Sequence, residues 1–527
     1  MTKYLLSRLL RGLLSVVVVI AIVMLLVYTA LDRNKVFVGD SEYTHKLRNS
    51  KVVYELQKWE DFGYVDYVPY AEYLESLLRY GEIDQATYDE AVKFGNTASE
   101  DTPIVTEYIN KFTKYYKDQG YEVKRLDTIY KSGTTTVQTG GQARLYAYRD
   151  MSLPVRLWTY LKNLIRVDNV HYVDDDIDIG ERKLTFTLFD PAYGGDKFAP
   201  AIMGNGTQHK YLLYFDSQFP FIHQNLVKVK LGTSYNIQKG IDVFDMMTTT
   251  QGSFKKSTVT YPSGNVAYTA DNIHSATYSR GSLNSGNPVI LENYVDDYTS
   301  VSTYKNGMSK MGYSFLIGII SVVAAYLLAV PLGIMMARKK DGLLDKLGTI
   351  YIIFIIAVPS LAYIFLFRSI GGKFGLPITF NMDSFHWTMY VLPIISLALP
   401  SIAGLMKWLR RYMIDQMNSD YVKFARAGGL SEGEILRKHI LKNAIIPIVH
   451  GIPASVLGAL VGAIITERIY VVPGTGDLLT RAINASDNGV IVGITFFYAL
   501  LSVISIILGD ICISLVDPRI SFTSKKR

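Results

Sequence analysis

Cysteine is almost absent from this chain of 527 residues: Cys512 is the single one, so no disulfide can form within the chain. The sequence also lacks the phosphate-binding loop G-x-x-x-x-G-K-[ST] and the zinc-binding pattern H-E-x-x-H. No Ser or Cys lies in a recognisable nucleophile motif. We therefore expect a chain that is not an enzyme, with no catalytic residue, no metal and no cofactor.

Charge is missing from six long apolar runs. None of them contains an internal Lys, Arg, Asp or Glu, and each has about the 17 to 25 residues that a bilayer core requires. Apolar residues make up 49% of the chain, which points away from an ordinary soluble protein. The sequence therefore predicts an all-α polytopic membrane domain with six transmembrane helices, at residues 13–31, 313–336, 347–367, 389–406, 445–466 and 490–509.

Basic residues flank these runs unevenly. With the N-terminus placed in the cytoplasm, 19 Lys and Arg residues fall in cytoplasmic segments and 4 fall in the two short outer loops. Short cytoplasmic loops of membrane proteins accumulate Lys and Arg, so we expect both termini to be cytoplasmic. A cleaved signal peptide is the alternative for the first run, although that run is long for one.

A large polar segment, residues 32–310, separates the first run from the second and would be extracytoplasmic in this topology. It carries a net charge of −4 and the rest of the chain carries +11, so the formal +7 belongs to the membrane part. This distribution matches contact with membrane lipids and indicates no nucleic-acid partner.

The same segment is expected to form an α+β domain. Helices are predicted in its first third, for example over residues 70–80 and 84–94, where Asp84 suits the N-cap. Short strands are predicted beyond residue 132, for example 183–189 and 211–215. Its many tyrosines suit either a partner surface or ordinary half-buried strand positions. An acidic run at residues 174–178 suits a solvated turn better than a calcium site.

The stretch 420–447 is polar and basic, yet it lies between two apolar runs. Gly428 and Gly429 should end a helix that runs in from the fourth span. Ser431 and Glu434 then form an S-x-x-E capping box, which would start a new helix at once. The expected result is a rigid corner between two helices, and a plain solvated basic loop is the alternative.

The same stretch contains a dense set of motif residues: Asp420-Tyr421-Val422, Ala425-Arg426-Ala427, Gly429-Leu430, His439, Leu441, Asn443-Ala444 and Pro447. On these residues it resembles the EAA loop of binding-protein-dependent ABC importer permeases, in the version found in the dipeptide and oligopeptide branch. Lys423 and the late position of Pro447 depart from the general EAA pattern and narrow the resemblance to that branch.

The resemblance extends over most of the chain and is weakest from about residue 35 to 150. It includes a G-x-S segment at residues 231–235, an outer loop after the fifth run and the end of the chain. Around Gly474 we expect a tight turn and not a nucleotide site. The residues concerned are Glu467, Pro473 and Gly474 in the outer loop, with Asp510, Asp517 and Arg519 at the membrane edge. For Asp510 a structural hydrogen bond or ion pair is preferred over a proton relay.

The resemblance implies the type I ABC importer permease fold, with a first transmembrane helix at 1–31, an inserted extracellular domain at 32–310 and a permease core at 311–527. The coupling loop would span 411–443. The residues implied to couple to an ATPase are Ala425, Arg426, Ala427, Gly428, Gly429, Leu430, Ser431, Glu434 and His439.

The function implied is that of a permease subunit of an oligopeptide importer in the bacterial cytoplasmic membrane. Its implied partners are a homologous second permease subunit, two ATP-binding subunits, an extracellular lipid-anchored oligopeptide-binding protein, membrane lipids and the peptide itself. ATP would be hydrolysed by the partner chains, because this chain lacks the phosphate-binding loop.

Two other classes of protein are considered. A multi-span receptor or anchor would bind a ligand through its extracellular domain, but an anchor needs only one span. A secondary transporter is disfavoured because the spans lack charges. Five prolines inside or beside the runs either leave gaps along a pathway or only set helix packing: Pro331, Pro359, Pro393, Pro400 and Pro453.

Overall fold

The computed structural model describes most of the chain. The acidic run at residues 174–178, Asp517 and Arg519 lie outside the described residues. The described ranges are 2–94, 102–127, 144–167, 179–189, 198–205, 207, 211–215, 222–224, 226–249, 251–253, 257–260, 266–269, 271–278, 298–303, 307–382 and 386–516.

The chain begins with a long helix, α1, and continues into residues 32–310, which we call the insert. The helices in this part are α1 (Thr2–Ala30), α2 (Ser41–His45), α3 (Arg48–Asp61), α4 (Tyr70–Arg79), α5 (Gln85–Ala91), α6 (Pro103–Asp118), α7 (Leu153–Asn163) and α8 (Val243–Thr248). The strands are β1 (Val65–Pro69), β2 (Glu122–Arg125), β3 (Leu145–Asp150), β4 (Ile165–Val167), β5 (Leu184–Phe189), β6 (Phe198–Gly204), β7 (Tyr211–Phe215), β8 (Ile222–Gln224), β9 (Val227–Val229), β10 (Ser257–Thr260), β11 (Val266–Thr269), β12 (Asp271–Tyr278) and β13 (Tyr298–Thr303).

The strands of the insert form several small antiparallel sheets. One sheet has the order β1-β3-β2, with Tyr67 opposite Tyr148 and Val123 opposite Ala147. A second has the order β5-β6-β7-β8, and three further pairs are β4-β9, β10-β11 and β12-β13. Helices and strands thus both occur in this part of the chain.

The first half of the insert has an aromatic core. Tyr70, Phe94 and Phe112 are buried, and the rings of Tyr70 and Phe112 meet edge to face at 5.6 Å. Aromatic rings prefer this arrangement because the positive edge of one faces the negative face of the other. Asp84 caps α5, as predicted, by accepting a hydrogen bond from the Thr87 N–H at 2.8 Å. Tyr146 is also buried, so these tyrosines are core residues.

The rest of the chain is helical. The helices are α9 (Lys310–Arg338), α10 (Leu343–Ala357), α11 (Ser360–Lys373), α12 (Val391–Met417), α13 (Asp420–Ala427), α14 (Glu432–Glu434), α15 (Lys442–Ala444), α16 (Ile446–His450), α17 (Ile452–Tyr470), α18 (Thr475–Asn484) and α19 (Asn488–Val516), with a π-helix over Ile435–Leu441 between α14 and α15. In the described part of the chain, five helices are long and apolar enough to cross a membrane: α1, α9, α12 with the turn before it, α17 and α19.

The third apolar run is not one continuous helix, which corrects the prediction for residues 347–367. It is divided between α10 and α11, whose axes are bent by 111° at the break. Pro359 causes the break, because it lacks an N–H group and pushes the preceding residue out of the helical conformation. Val358 accordingly has an extended backbone, with ψ at 129°. The total of six spans therefore stays a prediction.

The fifth run is also interrupted. The prediction placed one helix over residues 445–466, whereas the structure has the short helix α16, then Gly451, then α17. Helix α17 carries a proline in its first turn, where the missing N–H costs no helical hydrogen bond. It also extends to Tyr470, so Glu467 lies in the last turn of a helix and not in a loop, as the sequence had led us to expect.

A buried carboxylate joins the insert to the start of α19. Asp487 is fully buried, and its Oδ2 accepts hydrogen bonds from the Ser234 hydroxyl at 2.7 Å, the Asn236 N–H at 2.9 Å and the Ile237 N–H at 3.1 Å. Hydrogen bonds to a charged acceptor are stronger than those between neutral groups. The end of the G-x-S segment is therefore fixed to the membrane helices, although most of the insert precedes it in the chain.

At the opposite end of α19, Asp510 pairs with Arg8 of α1 at 3.2 Å. Asp510 is 8% exposed, and an ion pair satisfies a carboxylate that would otherwise be costly to bury. The expectation of a structural ion pair at Asp510 agrees with this contact. Helices α1 and α19 pack together along the apolar residues between these ends, including Val16, Ile20 and Val503.

Candidate coupling corner and cavity

The polar stretch forms a corner of two short helical segments, which we call the corner (residues 420–444). Its first helix, α13, is separate from α12, which ends at Met417. Ser419 lies between the two helices and has an extended backbone, with ψ at 151°. The expectation that the glycines end the fourth-span helix is therefore wrong. The glycines end α13 instead.

Gly428 and Gly429 form a Schellman cap on α13. The Leu430 N–H donates to the Ala425 carbonyl at 3.2 Å, and the Gly429 N–H donates to the Arg426 carbonyl at 3.1 Å. Gly429 has a φ of +81°, a left-handed conformation that glycine adopts without a Cβ clash. The backbone reverses direction here within two residues.

The predicted capping box is present and starts the second segment. The Glu434 N–H donates to the Ser431 hydroxyl and the Ser431 N–H donates to the Glu434 carboxylate, both at 3.4 Å. Two N–H groups that the first helical turn leaves without partners are satisfied in this way. The second segment thus begins at Glu432, with four residues between it and the end of α13 at Ala427.

The π-helix that follows the capping box was not predicted from the sequence. It contains His439, whose ring centre lies 6.4 Å from that of Tyr421, and the Tyr421 hydroxyl donates its proton to Gln416 Oε1 at 2.6 Å. Asn443 donates to the same hydroxyl at 3.0 Å. Segments of π-helix inside longer helices are rare and occur frequently at functional sites. Tyr421 ties the two segments of the corner together.

Arg426 and Glu432 form an ion pair across the corner, and Glu432 was not among the predicted residues. The guanidinium donates to both carboxylate oxygens, at 2.5 and 3.1 Å. The hydrogen bonds from Arg426 lower the pKa of the Glu432 carboxyl, so the pair forms at neutral pH and is lost only as the pH falls through that lowered pKa. Both groups are exposed, so the pair contributes little to stability.

The inner side of the corner is apolar and packed on the long helices. Val422 and Ile435 are fully buried, and they share a cluster with Leu409 and Met413 of α12. Ala337 at the end of α9 belongs to the same cluster. The corner is therefore seated on α12 through close packing of apolar side chains.

The outer side of the corner is exposed. The predicted residues from Arg426 to Ser431 are all exposed, and Phe424 beside them has 76% of its surface accessible. Ala425, Glu434 and His439 are half-buried. The structure thus places the predicted residues from Arg426 to Ser431 in one continuous exposed stretch with Phe424 beside them, which we call the ridge.

A buried ion pair attaches α12 to α10, and sequence reasoning missed this pair too. Asp345 of α10 is 2% exposed and accepts two hydrogen bonds from Arg410, at 2.5 and 2.7 Å. The Asp341 N–H donates a third, at 2.9 Å. The signal that could have found it is acidic residues, Asp341 and Asp345, within a short basic segment. Arg410 directly follows Leu409, one of the residues that seat the corner.

A cavity of about 610 Å³ opens beside the corner, between α9, α11, α12, α16 and α17. Its lining combines apolar and small residues with eight residues that carry a hydroxyl group. It reaches Pro447 and Ile448, directly after the corner, and Pro400 is one of the prolines singled out in the sequence. The lining residues are Tyr326, Ser360, Tyr363, Ile364, Ser396, Leu397, Pro400, Ser401, Gly404, Leu405, Trp408, Tyr412, Pro447, Ile448, Gly451, Ser455, Gly458, Ala459, Ile465 and Thr466.

Glu467, at the far end of α17 from the corner, is a structural carboxylate. It is 1% exposed and accepts hydrogen bonds from the Ser314 hydroxyl at 2.6 Å, the Gly476 N–H at 2.8 Å and the Asp477 N–H at 3.0 Å. Gly474 is the N-cap of α18, so Glu467 also faces the positive end of that helix. Together with Pro473, these residues close the turn between α17 and α18. Among the residues that the structure describes, no cluster of acidic, His or Cys side chains could hold a metal ion.

Comparison with known proteins identifies several similar chains. The family model described as "Binding-protein-dependent transport system inner membrane component" matches residues 329–522. The oligopeptide transport system permease protein AmiC of Streptococcus pneumoniae is 35% identical over 528 residues, covering 100% of this chain and 99% of the relative. The dipeptide transport system permease protein DppB of Lactococcus lactis is 31% identical over 229 residues, covering 42% of this chain and 73% of the relative.

Among solved structures, a crystal structure of an amino acid ABC transporter shares 16% sequence identity with this chain. The match covers 40% of this chain and 92% of that one, with a TM-score of 0.31.

The cap geometry predicts how Gly429 tolerates substitution. Gly429→Asn should leave the corner intact, because Asn accepts the left-handed conformation more readily than other residues. Gly429→Val should destabilise the corner by about 1–2 kcal/mol, because its Cβ clashes there. Amide hydrogen exchange over residues 420–435 should therefore accelerate in the Val variant alone. Equal exchange in both variants would contradict the assigned cap.

Proposed function

Because this chain belongs to the binding-protein-dependent ABC permeases, in the branch that imports oligopeptides, we propose that the corner receives the motion of an ATP-binding subunit and that the cavity is part of the peptide pathway. The observation that carries the proposal is the seat of the corner on α12, since α12 both holds the corner and lines the cavity.

The corner suits transmission of a force. Its outer ridge is exposed for a partner, and its inner side is buried on α12 through Val422 and Ile435. A partner that binds the ridge at Ala427 and Phe424 and then moves would therefore displace α12 as a whole. The ATP-binding partners need different contacts with the corner in their open and closed states, because only a difference in contacts shifts a conformational equilibrium.

The cavity suits a peptide of variable sequence. Its volume falls in the usual range of small-ligand sites, about 300–1,000 Å³. The hydroxyls of Ser360, Ser401 and Tyr412 are half-buried in this lining and could hydrogen-bond to a peptide backbone without selecting side chains. In this proposal a homologous second permease subunit completes the pathway, and most selectivity resides in an extracellular, lipid-anchored binding protein.

The rest of the assembly follows from the topology expected from the sequence. Two ATP-binding subunits would act at the cytoplasmic side, where both termini lie, and the insert would face the exterior near the binding protein. Closure of the ATP-binding subunits would then rock the helices from an inward-open to an outward-open arrangement. The receptor alternative fits less well, because the relatives are named as permease subunits and the cavity lies within the helices.

The coupling proposal predicts that Ala427→Glu weakens contact with the ATP-binding subunits. A bulky charge on the exposed ridge has room in the isolated chain but not against a partner. We expect a loss of at least about tenfold in affinity, equivalent to about 1.4 kcal/mol, and a matching loss of peptide-stimulated ATP hydrolysis. Co-purification of the complex and a proteoliposome ATPase assay measure both.

The matched control is Ala86→Glu, the same substitution at an exposed position on α5 of the insert. It should leave both readouts at the wild-type level. If the Ala427→Glu complex assembles and hydrolyses ATP like the wild type, the corner is not the coupling surface.

The pathway proposal predicts a different phenotype for Gly404, which lines the cavity and has open space where a Cβ would lie. Gly404→Leu should fill part of the cavity and reduce peptide uptake, while the ATP-binding subunits still co-purify. Gly404→Ala is the control, and it should keep uptake and raise helix propensity. Wild-type uptake by a folded Gly404→Leu complex would exclude this cavity from the pathway.

A further inference from the structure

Helix α7 of the insert exposes large apolar side chains that the coupling and pathway roles leave unexplained. Val155 is 45% exposed and Trp158 is 69% exposed. The strand that follows, β4, exposes Ile165 at 62% and Val167 at 73%. These four residues lie within 13 positions of the chain. If they all faced water, their exposed apolar area would cost roughly 25 cal/mol per Å² relative to burial. A partner or a solvent other than water is expected to cover them.

The opposite face of α7 shows where the helix lies. Leu153, Leu157 and Tyr160 pack on the apolar cluster formed by α1 and α19. The rings of Tyr160 and Phe496 meet edge to face at 6.0 Å. Phe496 lies well inside α19, about 12 Å from its first residue at 1.5 Å per residue. Helix α7 therefore packs alongside the membrane-crossing helices and not above their ends.

The contacts with α1 agree with this depth. The guanidinium of Arg156 lies 4.5 Å from the ring centre of Tyr28, near the end of α1, and donates to the Tyr64 carbonyl at 3.0 Å. On α1 itself, Leu25 and Leu26 are 47% and 60% exposed, as expected for residues that face lipid in a chain that spans the membrane. The exposed side of α7 is thus continuous with a lipid-facing surface.

We propose that α7 is an interfacial helix that places Val155 and Trp158 in the boundary between headgroups and acyl chains, in the leaflet on the insert's side. Tryptophan is enriched at that depth because its ring is apolar and its N–H is polar. Lys162 and Arg166 are exposed on the same segment and can extend to the headgroups. The partner of this surface is the lipid bilayer, and the contact fixes the orientation of the insert on the membrane.

The test uses spin labels on the full chain, with Cys512→Ser as background. Labels are placed by Val155→Cys and Trp158→Cys, with Leu327→Cys on α9 as the lipid-exposed reference and Tyr80→Cys as the water-exposed reference. Leu327 is 69% exposed and Tyr80 is 77% exposed. The chain, in complex with its partner subunits, is reconstituted in nanodiscs of phosphatidylcholine and phosphatidylglycerol. Collisions of each label with oxygen, which concentrates in lipid, and with a water-soluble nickel complex are then compared.

The proposal predicts that the labels at 155 and 158 favour oxygen, with an accessibility ratio between the two references and shifted toward that of Leu327. A ratio equal to that of Tyr80 would overturn it. Labels protected from both reagents would also overturn it, because they would show that a protein partner covers the surface. If a cysteine variant does not fold, quenching by brominated lipids gives the same answer: wild-type fluorescence should be quenched more than that of Trp158→Phe, and equal quenching would refute the proposal.

Discussion

The packing of Val422 and Ile435 against Leu409 and Met413 is the contact on which the proposed mechanism depends. These residues are buried at the junction of the polar corner and the apolar helix α12. Their packing joins the exposed corner to the buried core of the membrane helices. Leu409 and Met413 lie on α12, and residues one and two turns earlier on the same helix line the cavity. The ion pair between Asp345 and Arg410 attaches α12 to α10 at the same level of α12. Without this junction the corner would be a basic loop, and a pull on it would displace nothing.

The sequence was sufficient for features that depend on local chemistry. The apolar runs located the long helices, and the capping box at Ser431 and Glu434 formed as expected. Errors arose where a single residue interrupts a pattern. Pro359 divides the third run, and Ser419 separates α13 from α12, although apolar periodicity alone gives no sign of either break.

Features that depend on how the chain folds were not accessible to sequence reasoning. The bond between Arg426 and Glu432 crosses a corner whose shape is set by Gly429, and the carboxylate of Asp345 meets a guanidinium 65 positions later. The cavity is formed by five helices that are separate in the chain. Glu467 was expected in an outer loop, but three donors from α9 and α18 surround it only in the folded chain. Each of these needs the fold before the partners can be named.

The central claim is that the junction beneath the corner carries motion from ATP hydrolysis to the pathway, and the number of peptides imported per ATP tests it directly. Met413→Ala removes side-chain volume from the junction, at a fully buried position, without changing the exposed ridge. In proteoliposomes holding the assembled importer, the account predicts that the ATP-binding subunits still associate and hydrolyse ATP while peptide import per ATP falls. Wild-type import per ATP, in a variant shown to have lost stability at this junction, would contradict it.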